Sequence, residues 1–100
     1  MRAQPHWIEV LPLNDRGRPA LTFAAARQVV EIDRSGWYVA PFCLGWTVGK
    51  ATGNRDRDRY FHVVKGDGEP LFFDTADAAR SFLRLELKVL RAPVLNCAGD

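Results

Sequence analysis

The chain has 100 residues, of which 47% are hydrophobic and 26% charged, the balance of one folded domain with a single modest core. Fourteen Lys and Arg against twelve Asp and Glu leave a formal charge of +2, too small for a basic packaging protein or an acidic tail. Neither a collagen repeat nor a coiled-coil heptad is present, and no internal repeat or low-complexity tract divides residues 1–100.

In chain order, the pattern around Trp7, Ile8 and Val10 predicts an extended segment over 6–13, followed by a loop over 14–19. Residues 20–33 admit two readings. One is a helix capped by Thr22 with Ala25, Ala26, Val29 and Ile32 as its buried stripe; the other is a strand at 29–32, turned by 33–36 into the next strand. The β-branched Val29-Val30 pair and the Gly36 turn favour the strand, so 1–36 is the part whose structure stays open. Residues 37–42 read as a strand, and Pro41 places it at an edge.

From there the β-rich core, 37–91, is better marked. Large and small side chains alternate over 44–51, a polar loop spans 52–58, and 59–65 completes a hairpin. A Gly-Asp-Gly turn at 66–70 precedes a short strand at 71–73. A helix is predicted over 75–91, with Asp74 or Thr75 as N-cap, Asp77 in its first turn, and Pro93 closing it before a flexible tail, 93–100. The expected fold is α+β: an antiparallel sheet of four or more strands with the C-terminal helix packed on one face.

No signal-type apolar run follows Met1, and the longest uncharged apolar stretch, 37–46, is half of the roughly 20 residues a membrane helix needs. Cys43 and Cys97 lie far apart and form no CxxC pair, which suits free thiols and a cytoplasmic location.

The inventory for catalysis is thin. Ser35 falls in a turn and Ser81 in a helix, without a nucleophile elbow. Centring the 52–58 loop between Arg55 and Asp56 sets position 49 opposite 62, which puts Cys43 about 20 Å from His62 and rules out a dyad. His62 therefore reads as a structural histidine or an exposed pair partner. Two histidines and two cysteines without paired spacing make no zinc site, and Asp67 with Glu69 falls short of a calcium loop. The expectation is a non-enzyme with no cofactor, no metal and no small-molecule substrate.

The stretch Leu71-Phe-Phe-Asp-Thr-Ala-Asp-Ala-Ala-Arg-Ser-Phe82 resembles the strand-to-helix junction of AP2-type DNA-binding domains and of integrase arm-binding domains, over residues 44–85. It is also similar to small bacterial domains of unknown function carried on mobile elements. In AP2-type domains the sheet enters the major groove, and the resemblance implies that role here for Trp46, Lys50, Arg59 and Lys65.

Independently of the resemblance, Arg80, Arg84, Lys88 and Arg91 recur at spacings of four, four and three, which puts them on one helix face. Arg55, Arg57 and Arg59 alternate with Asp56 and Asp58 in the hairpin loop. Arginine outnumbers lysine eleven to three, which fits phosphate recognition and equally fits a GC-rich bacterial coding sequence. Two functions follow. The first is a bacterial accessory protein, associated with a mobile element, that binds duplex DNA through these basic residues. The second is a protein-interaction or homodimer module using Trp37, Tyr38, Phe42 and Trp46, or an edge strand.

Overall fold

The computed structural model describes residues 6–53 and 59–95. A 3-10 helix, His6–Val10, leads into β1 (Leu21–Thr22), α1 (Phe23–Ile32), β2 (Trp37–Phe42), β3 (Gly45–Ala51), β4 (Tyr60–Val64) and α2 (Ala76–Leu87). The fold is α+β, with one sheet in the order β1-β4-β3-β2. The sheet is mixed: β2, β3 and β4 are antiparallel neighbours, whereas β1 runs parallel to β4, with Leu21 opposite Val63. A wholly antiparallel sheet is thereby corrected. β1 and β4 are joined through α1 and the β2–β3 hairpin, a connection long enough for a parallel pair.

The first third departs most from expectation. Residues 6–10 coil tightly, which turns Trp7 and Ile8 together into the core. The strand reading of 29–32 gives way to α1. Thr22 Oγ1 accepts the Ala25 N–H at 3.1 Å, capping the helix, and Ala25, Ala26, Val29 and Val30 are the buried face. Spacings of one, three and four residues carry that face, and packing overrides the β preference of two valines. Ile32 is 40% exposed and lies outside the stripe. After α1, Asp33 Oδ1 accepts from the Ser35 N–H and hydroxyl, and Gly36 at φ +80° turns the chain into β2.

β2 and β3 form a hairpin with Phe42 opposite Gly45, leaving Cys43 and Leu44 as a two-residue turn with Cys43 at φ +54°. The far edge of β2 is partly covered by the chain after α2: Val39 N–H donates to Pro93 O at 2.9 Å, and Leu95 N–H to Val39 O at 2.7 Å. Pro41 shares the parity of Val39, so its missing N–H points to that outer edge and costs no bond to β3. Between β3 and β4, Gly49 stands opposite His62, the register expected from the loop centre.

Residues 71–73 make no continuous strand. Leu71 N–H donates to Val63 O, whereas Phe73 exchanges two bonds with Trp46, so this short run divides its pairing between two strands. α2 starts where expected, with Thr75 Oγ1 accepting from the Ala78 N–H at 3.0 Å. It ends earlier, at Leu87. Lys88 adopts the left-handed conformation (φ 58°, ψ 30°), and the Lys88 and Val89 N–H groups both donate to Leu83 O. Continuing the helix would rotate Val89 about 200° from Leu87, away from the core; the turn instead keeps Val89 buried beside Leu83 and Leu87.

Both helices and the 3-10 segment pack on one side of the sheet in a single cluster that includes Trp7, Val39, Val48, Phe61 and Leu83. The alternation of β2, β3 and β4 turns residues 38, 40, 42, 45, 47, 49, 51, 60, 62 and 64 to the opposite side; none of them is charged.

Candidate functional site

Four basic residues lie along α2 and the segment that follows it. Ala79, Leu83 and Leu87 face the core, so Arg80 and Arg84 project outward one turn apart. The left-handed turn at Lys88 then folds 89–93 back past the helix. Arg91 is not on α2, as the spacing of four, four and three required; it reaches the same place from the returning segment. Arg80 and Arg84 on one side, and Val89, Leu90, Arg91, Ala92 and Pro93 on the other, line a concavity of about 490 Å³. All three arginines are exposed, and among the described residues none has a carboxylate partner. A fifth basic group adjoins them: Arg34 Nη1 donates to Lys88 O at 3.1 Å, occupying a carbonyl at the helix end. Arg34 sits in a turn 54 residues away, and no sequence spacing links it to α2.

Lys50 leaves the basic set. Its side chain is 1% exposed, between the rings of Trp7 (5.1 Å) and Trp37 (5.6 Å), where Nζ pairs with Asp33 Oδ2 at 3.2 Å and donates to Ser35 O. Burial lowers the Lys50 pKa, and the Asp33 partner opposes that shift. Partial burial would raise the Asp33 carboxyl, but bonds from Ser35 and Lys50 outweigh it and hold the group below its ordinary value. The assembly ties the end of α1 to β3 and is structural. A lysine in a strand that alternates large with small residues gives no sign of burial; its parity with Trp46 and Val48 was the available signal.

The other candidates are dispersed. Arg59 is exposed and lies 5.2 Å from the Phe61 ring, and Lys65 opens a turn that also carries Asp67 and Glu69. Arg55 and Arg57 lie outside the described residues. In the aromatic set, Trp37 and Tyr38 are 1% and 2% exposed, Trp37 in the helix-side core and Tyr38 on the opposite side. Both faces of β2 are thus covered, and neither ring presents contact surface. Phe42 and Trp46 are half-buried, Trp46 packing against the helix-side core.

His62 is satisfied. Its Nδ1 lies 2.7 Å from the Tyr38 hydroxyl, and the two rings meet edge to face. Burial lowers the His62 pKa, while burial and neighbouring Tyr60 raise that of Tyr38, so at neutral pH the bond joins an un-ionised phenol to a neutral imidazole. Cys43 is exposed, with a free thiol in the β2–β3 turn, and does not join His62. Among the described residues, no group of three His, Cys, Asp or Glu is placed to hold a metal, and no helix is long and apolar enough to cross a membrane.

No family model, curated protein or solved structure matches this chain.

Proposed function

We propose that the chain is a small non-enzymatic cytoplasmic accessory protein, of the kind carried on bacterial mobile elements, that binds nucleic acid through Arg80, Arg84, Lys88 and Arg91. The observation that carries this reading is the convergence of Arg80, Arg84 and Arg91 on one concavity without a carboxylate partner among the described residues. Exposed guanidinium groups held apart from carboxylates favour phosphate, which accepts their planar fork. Contact through the sheet, as in AP2-type domains, has less support: Lys50 is buried, and the side of β2–β4 turned away from the helices bears no charge. The protein-interface alternative on 37–46 likewise has less support, because its two largest members, Trp37 and Tyr38, are enclosed.

The test is an affinity titration with nucleic acid across a salt series. Engagement of all four residues predicts a slope of log K against log salt of roughly −3 to −4. Arg84→Glu is expected to abolish measurable binding while leaving the unfolding midpoint nearly unchanged. Salt-independent binding, or full binding by Arg84→Glu, would overturn the proposal.

A further inference from the structure

We infer that the groove between α2 and residues 89–93 takes a single phosphate ester joined to a flat apolar group, the chemistry of one unpaired nucleotide, rather than tracking the phosphates of a duplex. This rests on the reading above and narrows its ligand.

Three observations point there. The guanidinium groups bracket a concavity: Arg80 and Arg84 stand on the helix wall and Arg91 on the returning wall. A volume of about 490 Å³ lies within the range of small-ligand sites. The wall opposite the helix is apolar, formed by Val89, Leu90, Ala92 and Pro93, and Leu90 is 79% exposed there. A phosphate gains nothing from such a surface, whereas a base laid against it removes apolar area from water.

The backbone supplies the third observation. Among the described residues, the N–H groups of Leu90, Arg91 and Ala92 have no intramolecular acceptor, so three consecutive residues of the groove wall keep a donor for an outside acceptor. The left-handed Lys88 makes this possible. A non-glycine residue held at φ 58° redirects the chain so that Arg91 closes on Arg80 and Arg84. In a helix continued to residue 91, all the charges would lie on one convex stripe instead.

The full-length labelled protein is titrated by amide NMR with adenosine monophosphate, inorganic phosphate, a short single strand with and without a 5′ phosphate, and a duplex without protruding ends. Adenosine monophosphate, the 5′-phosphorylated strand, or both should shift the amides of 90–92 and bind about tenfold more tightly than inorganic phosphate, with Arg84→Gln costing about tenfold or more. Leu90→Ala should narrow the advantage over inorganic phosphate without weakening phosphate itself. Preference for the free nucleotide identifies a small-molecule source, and preference for the 5′-phosphorylated strand a chain end. Duplex binding through Arg84 without nucleotide binding overturns the inference and leaves the broader proposal standing. No binding by any probe, or binding that Arg84→Gln does not weaken, overturns both.

Discussion

Tyr38 crosses the sheet over Gly49 to place its hydroxyl 2.7 Å from His62 Nδ1, joining β2 to β4 across the intervening strand. Register makes this possible: Tyr38 pairs with Gly49, and Gly49 with His62. A Cβ at Gly49 would fall onto the Tyr38 hydroxyl and lie 2.5 Å from Phe61 O. Gly49→Ala is therefore expected to destabilise the fold by about 1–3 kcal/mol, as overpacking does. Tyr38→Phe should cost about 1 kcal/mol through the lost hydrogen bond alone. Urea unfolding of both variants checks the order.

The same pair gives the fold a pH dependence. Burial lowers the folded-state pKa of His62 below its ordinary 6.5, so between these values the unfolded chain binds the extra proton. The contribution is fully present above about pH 6.5 and is lost as pH falls through the folded-state value. Urea midpoints should fall from pH 7.5 to 5.5, and His62→Gln should flatten that slope. An unchanged slope in His62→Gln would assign the acid sensitivity to another group.

Lys50 illustrates a charge whose role is positional. Lys50→Ala leaves Asp33, whose side chain is 36% exposed, without its cation and opens space between Trp7 and Trp37. A loss of about 2 kcal/mol or more is expected, chiefly from the cavity left by the buried lysine stem, because Asp33 keeps its contact with water. Lys50→Met, which keeps the volume, should lose less. Nucleic-acid affinity of the folded Lys50→Met protein should equal that of the parent, because the side chain does not reach the surface.

At Lys88 stability and binding should move in opposite directions. Replacing a left-handed non-glycine residue by glycine removes a conformational cost of about 1 kcal/mol. Lys88→Gly is therefore expected to raise the urea midpoint while weakening nucleic-acid binding and making it less salt-dependent, because one cation beside the groove is lost. Urea and salt titrations on the same preparation separate the two effects.

Much of the local structure is legible in the residues themselves. Thr75 ahead of an alternation of alanines and leucines marks the start of α2, and the polar loop centred between Arg55 and Asp56 yields the pairing of Gly49 with His62. These signals act between near neighbours or along one hairpin. The choice between helix and strand at 23–32 is not of that kind. Thr22 can cap a helix, and Val29-Val30 can extend a strand; only burial against the 3-10 segment, β4 and α2 separates the two.

The candidate site divides along the same line. Local spacing and residue type place Arg80 and Arg84 on one helix face, Pro41 at a sheet edge and a run of aromatic residues in 37–46. Packing between distant segments encloses Trp37, Tyr38 and Lys50, brings Arg34 to the end of α2 and delivers Arg91 from outside the helix. The difference lies in the reach of the interactions. Caps, turns and side-chain periodicity are settled within a few residues, whereas burial depends on what distant segments bring to each face. Val89 entering the core ends α2 at Leu87, and that packing event turns a predicted stripe of charge into a groove.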